Sequence, residues 1–406
     1  MTQILHVGAG MIAHDQIVPS LFQMQRNGVV GEITVASQNG RSVQALKKAP
    51  VFERAFPGQM FRCLPEDASG PHPDLYKQAI AALPPGQIVI AAVPDQLHFD
   101  VVMTALRADQ NVICVKPLVL RVAESMLIEE EARARGRVVA VEYHKRFDDR
   151  SQMARRRYKD GLFGNFKLGT ACLMEKWYYR HSNFQNWCTT ENSDAFTYIG
   201  CHYVDLVHFI TGLLPTSVSV YGIIDKYPNG NEGYLWTDAR VIWENGACLN
   251  VQNSLSFPDA APGTNTQGIT LYCGTESTGA WLEHSDQYRG LRYSYVRNPG
   301  GDGATQFAEP SPDYMQYVDL GGPGLVPVGY GYRSVEHLVK TCLNCQGSLD
   351  QRQAYLADLD SKGIVATPAN SRYNELVTEA GRLSIENCGR EVAITYGKNA
   401  GVAFRY

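Results

Sequence analysis

The chain has 406 residues, enough for two to three domains of about 150 residues, each burying a core of its own. Its residues are 44% hydrophobic, 19% charged and 10% aromatic, which excludes disorder, collagen and coiled coil as whole-chain descriptions. With 37 Lys+Arg against 41 Asp+Glu the formal net charge is −4, so the overall basic footprint of a nucleic-acid binder is absent and the expected partners are small molecules and further copies of the chain.

From the amino end, short β-branched apolar runs alternate with helical patterns, the signature of a parallel α/β sheet. The expected strands are Gln3–Val7, Glu32–Ala36, Gln87–Val93, Asn111–Cys114 and Arg137–Glu142. The expected helices lie near Ile12–Gln25, Ser42–Lys48, Asp74–Leu83, Leu97–Arg107 and Ala123–Arg135. The first strand runs directly into Gly8-Ala9-Gly10-Met11-Ile12-Ala13. This is a GxGxxG/A dinucleotide fingerprint between a strand and a helix, where it belongs. Gly8 permits the tight turn, Gly10 lets the backbone approach a pyrophosphate, and Ala13 lets helix pack on strand, with Met11 and Ile12 between them at the helix start. The end of the second strand reads Ala36-Ser37-Gln38-Asn39-Gly40-Arg41 and carries no acid. Ser37 and Arg41 suit the extra phosphate of NADP, whereas uncharged Gln38 and Asn39 suit the ribose of NAD.

The texture changes near residue 150. A basic helix at Ser151–Lys159 holds Arg155-Arg156-Arg157, best read as a solvated face. Candidate strands follow at Ser217–Ile224, Asp238–Trp243, Cys248–Leu255 and Ile269–Cys273, several with period-two alternation. Before them, Glu175-Lys176-Trp177-Tyr178-Tyr179-Arg180-His181 concentrates rings and donors. Sugar recognition needs aromatic faces and hydrogen-bonding side chains, so this stretch is expected to be a substrate loop, with Lys176 and Arg180 facing an anionic substituent; the alternative is an aromatic edge used in subunit contact. Residues 258–268 and 298–330 are rich in Pro and Gly and are expected to be loops. Helical patterns resume at Ser334–Cys345 and near Asn374–Cys388.

The ten cysteines are scattered, and their single CxxC, Cys342 to Cys345, lies in a helical pattern and is expected to be structural, so no metal site is expected. The start MTQILHVGAG shows no leader pattern, and the apolar stretch Asp205–Ile224 is broken by His208, Thr211, Gly212 and Pro215. A cytoplasmic protein with reduced thiols and no membrane association is therefore expected.

Several motifs in order carry a resemblance. The fingerprint continued into His14 and Pro19, the strand-end Ala92-Val93-Pro94-Asp95 followed by His98, the tripeptide Val115-Lys116-Pro117, the run Glu142-Tyr143-His144-Lys145-Arg146-Phe147, the helix His202-x-x-Asp205 and Gly329-Tyr330-Gly331-Tyr332-Arg333-Ser334 together resemble the Gfo/Idh/MocA family of glucose-fructose oxidoreductase and inositol dehydrogenase. The resemblance implies an α/β Rossmann dinucleotide-binding domain, placed at 1–148, and an α+β domain with a large, mostly antiparallel open sheet, placed at 149–406, whose carboxy-terminal helices can return to the Rossmann domain. It also implies a homodimer or homotetramer that acts on a small-molecule carbohydrate, with NAD as the expected cofactor and NADP the alternative.

In that family the Lys of a Glu-Lys-Pro motif sits beside nicotinamide and substrate. Lys116 matches it, with Val115 in place of Glu. Many members also have an Asp four residues before the His; here His202 is kept and Tyr198 stands in the Asp position. The resemblance thus makes Lys116, His202 and Tyr198 the catalytic candidates, since hydride removal from a carbinol carbon requires a group to take the hydroxyl proton and histidine titrates near neutral pH. Val93, Pro94, His98 and Lys116 join the fingerprint residues, Ser37 and Arg41 as cofactor contacts. His144, Arg146, Lys176, Trp177, Arg180, Asp205 and Tyr330 are the substrate-side candidates, with Arg146 alternatively a brace and Asp205 a supporting partner. Three functions compete: net oxidation of a sugar, glycoside or cyclitol hydroxyl; glycoside cleavage by transient C3 oxidation, elimination and hydride return, which would suit an anionic sugar such as a sulfoquinovoside; and a non-catalytic dinucleotide sensor.

Overall fold

A computed structural model describes residues 1–261, 263, 265–285, 290–296, 304–310 and 313–406. The chain forms two compact units, one of Met1–Asp149 with Tyr314–Glu379 and the other of Arg150–Asp313 with Ala380–Tyr406.

The first unit is built on strands β1 (Ile4–Val7), β2 (Ile33–Ala36), β3 (Arg62–Leu64), β4 (Ile88–Ala91), β5 (Asn111–Val115) and β6 (Val139–Glu142). All pair in parallel in the order β3-β2-β1-β4-β5-β6. This is the doubly wound dinucleotide-binding order. The strands read as continuous apolar runs because both sheet faces are covered. Between them lie helices α1 (Val18–Arg26), α2 (Gly40–Lys47), α3 (Pro50–Ala55), α4 (Leu75–Ala81), α5 (His98–Arg107) and α6 (Val122–Arg135). Ile4, Ile33, Ile88 and Ile113 share one core with Ile17, Leu21 and Phe22. Phe22 is also ringed by Phe52, Phe56 and Phe61 at 5.5–6.1 Å.

In the second unit, helix α7 (Asp149–Lys159) leads into β7 (Asn165–Lys176), and helix α8 (Cys201–Thr211) precedes β8 (Pro215–Lys226), β9 (Glu232–Trp243), β10 (Cys248–Phe257), β11 (Asn265–Gly274) and β12 (Gly279–Ser285). Strands β13 (Gly290–Val296) and β14 (Ala304–Pro310) form a separate antiparallel pair. The first unit then resumes with the short pair β15 (Gln316–Val318) and β16 (Val326–Val328), followed by helices α9 (Tyr330–Asn344) and α10 (Leu349–Lys362). From α9, Val335, Leu338, Val339 and Cys342 enter the core that holds Ile4 and Phe22, which makes this late segment part of the nucleotide-binding unit. Helix α11 (Pro368–Ile385) and strands β17 (Val392–Thr395) and β18 (Gly401–Phe404) complete the chain.

The large sheet of the second unit has the order β12-β11-β7-β10-β9-β8-β17-β18. Only β7 with β10 is a parallel pair among these neighbours. Along β9, Leu235, Ala239, Val241 and Trp243 alternate with more exposed residues, the period of a sheet with one covered face. Near the start of α8 the helical backbone comes close to that face, since a Cβ on Gly200 would lie 2.6 Å from Asn253 Oδ1. The other face carries Thr170, Cys172, Asp238, Arg240, Asn250 and Gln252 along a shallow concavity.

Two expected loops are more regular than their composition suggests. Strand β11 begins inside 258–268, and β14, β15 and β16 lie inside 298–330. Residues 262, 264, 298–303 and 311–312 of those expected loops lie outside the described residues. Strands β15 and β16, of three residues each, are too short to carry a periodic signal.

Candidate functional site

The dinucleotide turn is fixed by backbone contacts. Gly8 follows β1 with φ +118°, its N–H donates to the Ala36 carbonyl at 2.8 Å, and a Cβ there would fall 2.0 Å from the Ala92 carbonyl oxygen. The turn is thus wedged between the ends of β2 and β4, where only glycine fits. Gly10 is exposed, and a Cβ on it would meet nothing within 4 Å, which leaves room for a pyrophosphate against the backbone. Ala13 is fully buried, Met11 and Ile12 are half-buried, and the helix opens with a π turn over Ala13–Ile17. Such wide turns recur at functional sites. The open backbone cradle at the carboxyl ends of the strands fits a dinucleotide.

His6 escapes a search for fingerprints but supports this one. Its ring is fully buried in β1, and Nδ1 lies 2.9 Å from the Gly8 carbonyl oxygen. Burial pushes the His6 pKa down to about 4, against a smaller opposing effect of that hydrogen bond. A neutral ring with its proton on Nδ1 donates to the turn.

At the tip of β2, Ser37 Oγ accepts from Asn39 N at 3.3 Å and Asn39 Oδ1 caps α2 by accepting from Arg41 N at 3.0 Å. The Arg41 side chain is exposed. A second loop packs across this tip: Gly40 N donates to Ser69 O at 2.9 Å and His72 N to Gln38 O at 2.7 Å. The backbone of Asp67 meets Gly40, where a Cβ would lie 2.3 Å from the Asp67 carbonyl oxygen. Hydrogen bonds from Ser69 hold the Asp67 carboxyl below its usual range. The loop laid over the β2 tip thus carries a carboxylate, Asp67, to which Ser69 N and Oγ donate.

Val93 and Pro94 follow β4, and His98 opens α5 fully buried. Its Nδ1 lies 2.7 Å from the Pro117 carbonyl oxygen and its Nε2 2.9 Å from that of Val93. His98 ties the end of β4 to the segment after Lys116. Lys116 is half-buried and follows β5 directly, before a cis bond to Pro117.

At the end of β6, buried Glu142 is the centre of a polar network. Its Oε1 accepts from Gln16 Nε2 at 2.8 Å and from Ser334 Oγ at 2.6 Å, and its Oε2 lies 3.2 Å from His144 Nδ1. Tyr314 OH donates to Gln16 Oε1 at 2.7 Å. The His144 ring lies 5.1 Å from Tyr314 and 5.6 Å from Tyr330. Tyr330, expected at the substrate, is enclosed at the start of α9. Arg146 is also enclosed, donating from Nη2 to Tyr373 OH at 3.0 Å with its guanidinium over the Tyr143 ring. Its geometry is that of the bracing alternative.

In the sheet unit, a π turn over Phe196–Gly200 precedes α8. Asp194 anchors the turn by accepting from Thr197 N at 2.8 Å and Thr197 Oγ1 at 2.9 Å, and burial raises its pKa. Tyr198 is half-buried with its ring edge-on to Phe184 at 4.6 Å and to Trp187 at 5.4 Å. His202 and Asp205 lie buried on α8. The anion contacts expected of Lys176 and Arg180 meet a different geometry. Lys176 Nζ donates to the carbonyls of Pro258 at 3.0 Å, Asp259 at 3.1 Å and Ala261, which takes up all three ammonium protons. Arg180 donates from Nε to Leu255 O at 3.1 Å and from Nη1 to Asp225 Oδ2 at 2.8 Å, and its guanidinium stacks 3.9 Å over the ring of half-exposed Trp177. Cationic side chains inside a sheet unit take the nearest carbonyls and carboxylates, because a buried unpaired charge is costly.

Among the described residues no group of three or more His, Cys, Asp or Glu is placed to hold a metal ion. No described helix is long and apolar enough to cross a membrane.

Residues 2–143 match the family model described as "Oxidoreductase family, NAD-binding Rossmann fold". The chain is 25% identical over 130 residues to D-glucoside 3-dehydrogenase of Escherichia coli K12, a match covering 31% of this chain and 36% of that protein. Over nearly its whole length the fold is that of solved oxidoreductases. GenD2 from gentamicin A biosynthesis, in complex with NAD, superposes with a TM-score of 0.64 at 17% identity over 97% of each chain. Scyllo-inositol dehydrogenase from Lactobacillus casei, with bound NAD(H) and scyllo-inositol, gives 0.63 at 13% identity, over 97% of this chain and 99% of that one.

Proposed function

We propose, from the premise that this chain belongs to the Gfo/Idh/MocA oxidoreductases through its NAD-binding Rossmann domain at 2–143, that it oxidises a secondary hydroxyl of a sugar, glycoside or cyclitol. The observation that carries this is Lys116, set directly after β5 in the sheet whose β1 ends in the open dinucleotide turn. Ligands of such sheets bind outside the carboxyl ends of the strands. Similarity to a D-glucoside 3-dehydrogenase supports a pyranoside hydroxyl as the reacting group.

NAD bound in the cradle supplies the hydride acceptor. When hydride leaves a carbinol carbon, the hydroxyl proton must go to a base. Lys116 is assigned that role in the nucleotide-binding unit, with His202 of α8 as the proton-handling group of the sheet unit. Tyr198 offers a hydroxyl where many relatives have a carboxylate, so it can share a hydrogen bond but cannot hold the negative charge that steadies an imidazolium. Trp177, with an exposed ring face, and half-buried His144 are assigned to substrate contact, and Asp205 to support of His202.

The test offers free sugars, cyclitols and aryl glycosides with NAD, following reduced nicotinamide and aglycone together. Stoichiometric reduced cofactor is expected. Aglycone release with catalytic NAD, no net reduction and solvent deuterium at C2 would instead assign redox-neutral glycoside cleavage. Silence in both assays with NAD still bound would assign a dinucleotide sensor. Lys116→Ala is expected to lower kcat by a factor of about 10²–10⁴ while NAD affinity is retained; unchanged turnover removes Lys116 from the chemistry.

A further inference from the structure

A second concavity opens in the nucleotide-binding unit at the opposite end of its strands. Its volume is about 320 Å³, and its lining includes Thr2, Gln87, Arg137, Cys345, Gln346 and Arg352. Thr2 precedes β1, Gln87 precedes β4 and Arg137 precedes β6, so the opening lies at the amino ends of the strands, with Thr2 about 20 Å from the Gly8 turn at about 3.3 Å per residue.

The concavity holds two arginines, Arg137 and Arg352, against the single carboxylate of Asp109, on which both act. Arg137 is 8% exposed, and its Nε and Nη2 donate to the two carboxylate oxygens of Asp109 at 2.9 and 2.6 Å. Its Nη1 has no acceptor among the described residues and flanks the wall at Gly86, where a Cβ would lie 3.4 Å from it. Arg352 donates to three carbonyls, from Nε to Gly136 at 3.0 Å, from Nη1 to Gly347 at 2.8 Å and from Nη2 to Arg135 at 3.2 Å. It has no carboxylate in ion-pair contact among the described residues. A guanidinium carries five N–H groups, so two on Arg352 remain after these bonds. Both cations act on the buried Cys345 thiol, opposing the upward push of burial on its pKa. Gly347 also lines the opening, and Ser348 after it caps α10, which adds the positive end of a helix of 14 residues.

We propose that this concavity binds a small oxyanion, the phosphate or carboxylate group of a free metabolite, between Arg137 Nη1 and the Arg352 guanidinium. The fork geometry of arginine suits both groups, and Thr2, Gln87 and Gln346 also line the space. The site is separate from the dinucleotide cradle and independent of which hydroxyl compound the enzyme oxidises.

The test is calorimetric titration of the full chain, saturated with NAD so that the pyrophosphate cradle is occupied, with inorganic phosphate and with citrate at constant ionic strength. One saturable site per chain is expected for at least one probe, and which probe binds identifies the oxyanion. Arg352→Gln should abolish the binding. Gln346→Glu, a change at an exposed lining residue, should raise Kd about tenfold by adding like charge, with NAD affinity and the circular-dichroism melt unchanged; it decides the matter if Arg352→Gln folds poorly. Absence of saturable heat with both probes, or an unchanged Kd in Gln346→Glu, overturns the proposal.

Discussion

In the nucleotide-binding unit, the dinucleotide turn works through backbone. Gly8 is held between Ala36 and Ala92, and Gly10 leaves its peptide open. In the sheet unit, the dense cluster from Glu175 to Trp187 works through side chains, and the two cations that looked most available already hold partners, although Arg180 Nη2 is buried without an acceptor among the described residues. Lys176 gathers the carbonyls of the 258–261 segment, and Arg180 joins Asp225, Leu255 and Trp177. The contrast teaches how far a motif can be trusted. A glycine required by a backbone angle or a close approach has few alternative uses, whereas a lysine or arginine can satisfy itself on any nearby carbonyl and so serves structure as readily as ligand.

The largest effect should come from testing the backbone side of this contrast. Gly8→Ala places a Cβ within 2.0 Å of a carbonyl oxygen at a φ of +118°, and neither the strand end nor the Ala92 peptide can move without breaking the sheet. A loss of about 4 kcal/mol or more in stability is expected, together with NAD binding. Gly10→Ala meets nothing within 4 Å, so its melting temperature should stay near that of the parent while its Kd for NAD rises about tenfold or more. Thermal melts and NAD titrations of the pair check this. Equal melting temperatures for the two variants would show that the turn tolerates a side chain at Gly8.

A second effect comes from His6, whose pKa in the folded state is about 4 because burial disfavours the imidazolium. An unfolded histidine titrates near 6.5, so below that pH the unfolded chain binds a proton that the folded chain refuses. Stability from this group is complete above pH 6.5, falls as the pH drops toward 4 and levels off below, a change of about 3 kcal/mol at 1.36 kcal/mol per unit. Carboxylates titrate over part of the same range, so the comparison is between urea unfolding of the parent and of His6→Gln at pH 7 and pH 4. The acid loss should be smaller by about 3 kcal/mol in the variant; equal losses would place the His6 ring outside the linkage.

The same contrast separates what the sequence makes legible from what it hides. Strands β1, β2, β4, β5 and β6 are readable because burial on both faces makes each a run of β-branched residues. Strand β3 has three residues and α3 has six, too few for a period to show. Strand β7, Asn-Phe-Lys-Leu-Gly-Thr-Ala-Cys-Leu-Met-Glu-Lys, mixes burial without clean alternation. The Glu142 network is invisible for another reason: Gln16 is 126 residues from Glu142 and 318 from Ser334. No local pattern records that one carboxylate collects donors from the first helix and from α9. Nor does the family-like position of His98 record that its ring joins two carbonyls.

The smallest effect tests the side-chain side of the contrast. Lys176→Met keeps the aliphatic stem beside Phe257, over which the ammonium lies at 4.6 Å, and removes three charge-assisted donors from the 258–261 carbonyls. Hydrogen bonds from a charged group contribute about 1.5–3 kcal/mol each when one is lost alone. These carbonyls belong to a surface segment that water can reach after the change, so the net loss should be about 2 kcal/mol rather than the sum. Burial already lowers the Lys176 pKa, with the Asp259 carboxylate opposing it, as expected of a cation held for packing. The variant should therefore melt earlier while the ratio of kcat/KM for anionic over neutral sugars stays the same. A selective rise in KM for the anionic sugar at unchanged melting temperature would return Lys176 to substrate recognition, and would mean that the 258–261 segment gives up its ammonium when the anion arrives.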